Sequence, residues 1–207
     1  MLKLEGQHKR YLKGLGLLDS SIDEGLYRTI PKNYIKRRII GSELSRKYNL
    51  AGIPGFFQEE DWHWCFNRYD GFFVPIFDEN EYIQGLSIHL DKLFNNNQDI
   101  WFSSNNKING TNAKSWIMKN NITNNSNSVI ITDNFILGNL IKETINAPML
   151  AFQNISNSYM ILKEIEKTII KDITFVIRLP QANENLDYII NRIFRDLIPL
   201  NYNINIK

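Results

Sequence analysis

The sequence predicts an α+β portion followed by an α/β domain. Residues 1–50 show the apolar spacing of short helices, residues 51–102 contain strand-like runs, and residues 128–207 alternate short apolar strands with amphipathic helices. The chain has 207 residues and 43% hydrophobic residues, enough to bury the core of one or two domains. We therefore predict two domains, 1–127 and 128–207.

The first 50 residues are predicted to be helical. Tyr11, Leu12, Leu15 and Leu18 approximate one helix face, and a second, basic helix is predicted from about 32 to 48. Gly52 and Pro54 end this second helix, because proline lacks a backbone donor and glycine tolerates turn conformations. The buried side of the basic helix is predicted to consist of Ile35, Ile39, Ile40, Leu44 and Tyr48.

Residues 51–102 change to a strand pattern. Residues 62–66 alternate, which places Trp62 and Trp64 on one face that we assign to the core. Residues 71–77 and 82–90 are rich in β-branched and aromatic residues and flank a turn at 78–81, which predicts a hairpin. Residues 103–127 are rich in Asn, Ser and Gly and are predicted to form a long surface loop.

The last 80 residues read as βαβαβαβ. Strands are predicted at 128–132, 148–152, 173–177 and 202–206, with helices near 136–145, 161–169 and 186–197. This order implies a mostly parallel sheet, whose sites form beyond the carboxyl ends of its strands. Asp133 follows the first strand and is either a ligand or acid–base residue or the N-cap of the next helix. The other residues at these strand ends are Asn134, Gln153, Asn154 and the segment 178–181.

Charge is distributed unevenly along the chain. Residues 1–50 carry a net charge of +6 and residues 51–110 a net charge of −6. This asymmetry indicates either a face that binds a polyanion or two segments that attract each other. The candidate phosphate contacts are Lys32, Lys36, Arg37 and Arg38, and the alternative is a solvated helix face or pairing with the acidic residues 59–61.

Several classes of protein find no support in the sequence. The single cysteine, Cys65, excludes an internal disulfide and a cysteine-based zinc cage, and the three histidines lack metal-ligand spacing. Phosphate-loop, dinucleotide-binding and nucleophile-elbow motifs are missing. Neither a run of about 18 apolar residues nor a secretory signal is present, so we expect a cytoplasmic protein that does not bind membranes.

Several short sequence motifs, which follow one another in a fixed order, resemble those of a known family. They are Gly-Ile-Pro-Gly-Phe at 52–56, the hairpin words at 71–78 and 83–91, Trp-Phe-Ser-Ser at 101–104 and Asn-Gly-Thr at 109–111. Together they resemble the catalytic core of bacterial-type DNA primases, and more closely the primase-like Toprim proteins of Gram-positive plasmids, phages and conjugative elements. The words span residues 8 to 132, and the remainder is similar in its βα pattern.

The resemblance implies a primase-core-like N-terminal portion joined to a Toprim-like, Rossmann-like parallel sheet. In the family, magnesium is held by a glutamate on the first strand of the Toprim domain and an Asp-x-Asp pair on the third. Asp133 is similar to the first position, but Asn134 follows it in place of glycine, and residues 175–181 contain no carboxylate. We therefore expect Asp133 to be a vestigial catalytic residue and no magnesium or other cofactor to be bound.

The resemblance also suggests nucleic-acid contacts outside the basic helix. His89 is similar in position to a basic residue on the template-facing strand of primases. Arg178, at the end of the third strand, would contact a phosphate in place of the metal. Lys107 and Lys114 would line a cleft between the two domains, where Trp101 would be at least partly buried.

These features predict a primase-like, catalytically inactive protein of a plasmid, phage or other mobile element. Its expected partner is single-stranded or primed DNA, or a replication protein. One alternative is an active magnesium-dependent primase or nucleotidyl transferase that uses Asp133, Asp172 or Asp187. A second alternative is a protein-binding inhibitor or adaptor that retains the fold and uses the acidic surface of residues 59–81.

Overall fold

The computed structural model describes residues 2–78, 80–95, 97–153, 158–176, 195 and 202–206. The chain packs as two units. The first unit comprises Met1–Ile76 and Ile83–Ser115, and the second comprises Phe77–Tyr82 and Trp116–Lys207. Their elements confirm the predicted class, α+β followed by α/β.

The first unit combines three helices with two antiparallel β-structures. The order β1-β4-β5-β6 forms a four-stranded sheet, and β2 and β3 form a separate two-stranded ribbon. Strand β4 has the predicted bounds, and β5 continues beyond the predicted end at residue 90. The elements are α1 (Gly6–Gly14), α2 (Asp19–Glu24), β1 (Arg28–Thr29), α3 (Tyr34–Ser45), β2 (Phe56–Gln58), β3 (Trp64–Phe66), β4 (Gly71–Phe77), β5 (Ile83–Phe94) and β6 (Asn97–Trp101).

Strand β4 is the centre of the first unit and is buried on both faces. Its side chains alternate between the faces, so that neighbouring phenylalanines enter different clusters. The Phe72 ring lies 5.0 Å from the ring of His8 and 5.1 Å from that of His89. The Phe73 ring meets the edge of Phe102 at 4.9 Å. An uninterrupted apolar run is therefore what this position in the sheet requires.

The predicted buried face of the basic helix is only partly right, because Ile40 packs against the core and Leu44 is half-buried. Ile35 is 65% exposed and Ile39 is 52% exposed, whereas Arg37 and Gly41 are buried. The cause is the close approach of α3 to β3, since a Cβ on Gly41 would lie 2.3 Å from the Trp64 carbonyl oxygen. The helix face that carries Gly41 must therefore face inward. Tyr48 is exposed because the helix ends at Ser45.

The predicted core position of Trp62 is also wrong, because its side chain is 74% exposed. Trp62 lies in a turn with a φ of 66°, before β3 begins at Trp64. The alternating pattern of the sequence therefore begins two residues before the strand itself. The face predictions for the first helix fail in a similar way, since Leu12 is buried while Leu15 and Leu18 are exposed.

The buried Arg37 joins α3 to two other segments of the first unit. Its Nε donates to the Phe66 carbonyl at 3.1 Å. Its Nη1 donates to the carbonyls of Pro31 at 3.0 Å and Lys32 at 2.8 Å. The guanidinium thus satisfies three backbone acceptors at once, which makes burial of this charge tolerable.

The second unit is built on a five-stranded sheet in the order β11-β10-β8-β9-β7. The predicted parallel arrangement is confirmed for β8 to β11, with α4 and α5 as connections. Within the predicted helix near 186–197 the structure describes Arg195, which is helical, and the other positions lie outside the described residues. Strand β7, antiparallel to β9, lies inside the predicted loop 103–127. The elements are β7 (Met118–Asn120), β8 (Ser128–Thr132), α4 (Phe135–Thr144), β9 (Met149–Ala151), α5 (Ser158–Ile165), β10 (Asp172–Val176) and β11 (Asn203–Ile206).

One carboxylate connects the edge strand β7 to helix α5. Glu164 accepts hydrogen bonds from Lys119 at 2.7 Å and from Lys167 at 2.8 Å. Partial burial acts to raise the pKa of Glu164, but the two lysines outweigh it and the pKa lies below its ordinary value. The Glu164 carboxylate therefore stabilises the folded unit in its ionised form.

We predict that Arg37→Met lowers the free energy of unfolding by about 2 kcal/mol, because three backbone carbonyls, two of them in buried contacts, lose their donor while the apolar volume is retained. Chemical denaturation monitored by circular dichroism measures this change. The neighbouring, exposed Lys36→Met is the matched control and should change stability by less than about 0.5 kcal/mol. Equal effects of the two substitutions would contradict the structural role of Arg37.

We predict that Glu164→Gln destabilises the protein by about 0.5 kcal/mol at pH 7. Because the folded pKa of Glu164 is lowered, its contribution is complete above the ordinary carboxyl pKa and disappears as the pH falls through the folded value. Denaturation at a series of pH values from 7 downward should therefore show a difference that is largest at pH 7 and shrinks as the pH falls. Glu166→Gln, at an exposed neighbouring position, is the control, and a difference that persists at low pH would refute the assignment.

Candidate nucleic-acid interface

The basic helix presents fewer available cations than its sequence suggests. Lys32 lies 3.6 Å from Asp70, and Arg38 pairs with Asp61 and with Glu59. Arg37 is buried against backbone carbonyls, so its guanidinium is not available to a phosphate. Of the four predicted phosphate contacts here, Lys36 is exposed and makes no side-chain ion pair among the described residues.

The pairing of Arg38 with the acidic residues 59–61 supports the alternative in which the two charged segments attract each other. Partial desolvation acts to raise the pKa of Asp61, but the backbone N–H of His63 and the Arg38 guanidinium hold it below its ordinary value. Glu59 also accepts a hydrogen bond from the Tyr34 hydroxyl at 2.7 Å. Charge on α3 is therefore partly compensated within the first unit.

Residues 103–113 form an ordered loop that is held together by its own polar groups. The Ser104 N–H donates to the Thr111 carbonyl at 3.0 Å, and the Thr111 N–H donates to Ser104 Oγ at 3.0 Å. Ser104 is fully buried, and a Cβ on Gly110 would lie 2.2 Å from its carbonyl oxygen. The short polar side chains of this loop therefore build its frame.

The two lysines of this region remain on the surface. Lys107 Nζ lies 5.3 Å from the centre of the Phe57 ring, a cation–π distance, and Lys114 is exposed. The loop is fixed to β2 because the Gln58 N–H donates to the Ile108 carbonyl at 2.9 Å. Trp101 is half-buried, as predicted. Lys107 is thus held at a defined position, and both lysines remain accessible.

His89 lies inside the first unit, where it is 3% exposed. Its Nδ1 lies 2.6 Å from Asp99 Oδ1, and its ring stacks on that of Tyr11 at 5.0 Å. His89 and Asp99 are directly opposite each other on β5 and β6. Sequence reasoning named His89 but missed Asp99. The predicted hairpin contained most of β5, but not β6, the strand on which Asp99 lies opposite His89.

At the carboxyl end of the second sheet, the prediction that Asp133 is the N-cap of the next helix is wrong. Asn134 is the N-cap of α4, and its side chain accepts a hydrogen bond from the Leu137 N–H at 2.9 Å. Asp133 lies between the last residue of β8, Thr132, and this cap, with one carboxylate oxygen shielded from solvent. Gln153 follows β9 at the same edge of the sheet. Arg178 and Asp187 lie outside the described residues.

Among the described residues, the donor set at this edge does not fit the magnesium site that the family resemblance implies. Mg²⁺ requires hard oxygen ligands, and sites for phosphoryl transfer use more than one carboxylate. Asp133 supplies a single carboxylate, while Asp172 lies at the opposite, amino end of β10. In the described part of the chain, no group of three or more His, Cys, Asp or Glu could hold a metal ion.

The fold of the chain is similar to that of bacterial DNA primase catalytic cores. The Aquifex aeolicus primase, with its zinc-binding and RNA polymerase domains, has 7% identity and a TM-score of 0.61 over 98% of this chain and 49% of that chain. A DNA primase domain from Pseudomonas aeruginosa has 10% identity and a TM-score of 0.61, with coverages of 97% and 63%. A DnaG primase catalytic domain bound to single-stranded DNA has 8% identity and a TM-score of 0.57, with coverages of 97% and 65%.

The chain thus spans about half to two thirds of the length of these primase structures. No family model matches the sequence. No curated protein matches it either. The identities are low, so the similarity establishes the fold. Among the described helices, none is both long and apolar enough to cross a membrane.

We predict that isothermal titration calorimetry with Mg²⁺ or Mn²⁺ detects no binding that depends on Asp133, because one carboxylate cannot assemble a site for either ion. Asp133→Ala should give the same titration as the parent protein. Metal binding by the parent that is abolished in Asp133→Ala would contradict this prediction. Asp172→Ala is the control, since this exposed aspartate lies at the other end of the sheet.

Proposed function

We propose that this chain is a primase-like protein that binds single-stranded or primed DNA during replication and does not itself synthesise primers. The observation that carries the proposal is the similarity of 97% of the chain to a primase catalytic domain whose structure contains single-stranded DNA. The similarity extends through both units and is not limited to one common sheet. We further propose that the second unit is a Toprim-like domain.

The lack of primer synthesis is proposed from the chemistry of the second unit. Polymerisation requires metal ions that stabilise the attacking and leaving oxygens of a phosphoryl transfer. Asp133 is the one carboxylate that directly follows β8, and residues 177–181, which follow β10, contain none in the sequence. An active transferase would need ligands from elsewhere in the chain, and primer synthesis in vitro would establish that alternative.

Lys107 and Lys114 are the proposed phosphate contacts in the first unit, with Lys36 as a third. All three are exposed and lack ion pairs among the described residues. Lysines neutralise phosphates and release counterions, which provides affinity without reading the sequence. The family resemblance of the short words further supports an origin in a plasmid, phage or other mobile element and a cytoplasmic location.

A second candidate function is that of an adaptor that binds a replication protein. The observation that favours it is the turn between β2 and β3, where the 74% exposed Trp62 directly follows the acidic residues 59–61. An exposed indole is typical of a protein interface, and the acidic residues would repel a phosphate backbone. This surface is distinct from the proposed lysine contacts.

The salt dependence of DNA affinity tests the proposed function. We predict that the parent protein binds a fluorescent oligo(dT) and that its affinity falls steeply as salt increases. Lys107→Ala together with Lys114→Ala should reduce the slope of log K against log salt by about 1.4, because each phosphate contact on a single strand contributes about 0.7. Fluorescence anisotropy at several salt concentrations measures this slope.

The matched control is Lys9→Ala together with Lys13→Ala, which removes the same charge from lysines that pair with Asp19. This control should leave the slope close to that of the parent. Absence of binding to oligo(dT) at low salt would refute the DNA-binding function and favour the adaptor. An unchanged slope in the Lys107 and Lys114 variant would show that DNA binds elsewhere.

A further inference from the structure

A pocket opens between helix α1 and strands β4, β5 and β6 in the first unit. Its volume is about 440 Å³, within the range of small-molecule sites. The lining residues that the structure describes all belong to the first unit. They are Gln7, His8, Tyr11, Phe72, His89, Leu90, Asp91 and Gln98.

Both ring nitrogens of His8 are hydrogen-bonded to side chains of the protein. The Glu5 N–H donates to Thr29 Oγ1 at 2.8 Å, and Thr29 Oγ1 lies 2.7 Å from His8 Nδ1. His8 Nε2 lies 2.9 Å from Asp91 Oδ1. A carboxylate can only accept, so Nε2 carries the hydrogen and Nδ1 accepts from the threonine hydroxyl. This chain of hydrogen bonds fixes the position of the Asp91 carboxylate at the pocket.

His89, in contrast, retains one nitrogen for a ligand. Asp99 accepts from Nδ1 at 2.6 Å, so in the neutral imidazole Nε2 is an acceptor. Nε2 has no hydrogen-bond partner among the described residues, although the side chain is almost completely buried and lines the pocket. The second oxygen of Asp91, Oδ2, is likewise without a hydrogen-bond partner in the described structure, and this side chain is 30% exposed.

The pocket therefore combines hydrogen-bond acceptors with an aromatic wall. Tyr11 stacks on His89 with an angle of 28° between the rings and remains partly exposed. The amides of Gln7 and Gln98 line the same pocket. Gln98 Nε2 donates to the Leu90 carbonyl and Gln7 Nε2 lies 3.3 Å from His8 Nε2, and each amide has a second N–H besides. No cluster that could bind a metal ion is found here or elsewhere among the described residues. A planar ligand with adjacent N–H groups matches this lining.

We propose that this pocket binds a guanine base. Guanine is the one DNA base with two adjacent N–H donors on its Watson–Crick edge, N1–H and N2–H, which a carboxylate such as Asp91 accepts together. His89 Nε2 provides a further acceptor, and a glutamine amide can donate to O6. Adenine and cytosine offer one amino group beside an acceptor, and that acceptor would face the carboxylate. Tyr11 supplies the aromatic surface on which a base can stack.

Direct titration with mononucleotides tests the pocket independently of DNA binding. We expect dGMP to bind at least ten times more tightly than dAMP, dCMP or dTMP by calorimetry. Asp91→Asn should reduce dGMP affinity at least tenfold, because its amide would oppose the guanine donors, while its oxygen can still accept from His8. Tyr11→Leu should weaken dGMP binding several-fold, and Glu24→Gln, at an exposed carboxylate outside the lining, should have no effect.

Folding of each variant is checked by thermal melting, and Tyr11→Leu keeps the test decisive if Asp91→Asn does not fold. Equal binding of all four nucleotides, or binding of none, would overturn the proposal. So would dGMP affinity that is unchanged in both variants.

Oligonucleotides distinguish a base within DNA from a free nucleotide. This arm rests on the proposed function, whereas the mononucleotide titration does not. If the base belongs to DNA, one central guanine in oligo(dT) should raise affinity several-fold, and Asp91→Asn should abolish that gain. Preference for dGMP without any DNA binding would refute the proposed function and retain the guanine pocket. DNA binding without a preference for guanine in either experiment would support the proposed function and refute the guanine pocket.

Discussion

The two-sided burial of strand β4 is the constraint on which the first unit depends. A strand that is covered on both faces must supply apolar side chains at every position, and each face then requires its own layer. Phe73 begins the layer that contains Phe66 and Phe102, whereas Phe72 begins the layer that contains His8 and His89. The second layer mixes aromatic rings with polar groups, and this combination is what creates a lined pocket beside a packed core.

The charge asymmetry of the sequence has a partly internal explanation. Arg38 pairs with the acidic turn between β2 and β3, and Lys32 with Asp70, so some of the positive charge of the first 50 residues neutralises the negative charge of the next 60. Arg37 serves a third purpose as a buried donor to backbone carbonyls. A run of three adjacent basic residues can therefore contain one solvated, one buried and one paired side chain, and only the first is available to a polyanion.

Sequence periodicity predicted those elements whose burial follows from the strand or helix repeat. The strand bounds 71–77 and 128–132 agree with the structure because each run is apolar and is bordered by polar residues or glycine. The face of α3 was not predictable in this way, since the contact is made by Gly41, which carries no side chain to mark it. The same limit applies to the pocket, because His8 and Asp91 are 83 residues apart and meet only after α1 packs on the sheet.

The loop at 103–113 has a consequence for how this protein can change over time. Its frame is made by Ser104, Gly110 and Thr111, while the side chains at its tip contribute little to that frame. Residues such as Lys107 can therefore be exchanged without disturbing the fold, and a different charge there would redirect binding at small cost in stability. In this loop, the residues that folding requires are therefore different from the residues that a new binding partner would require to change.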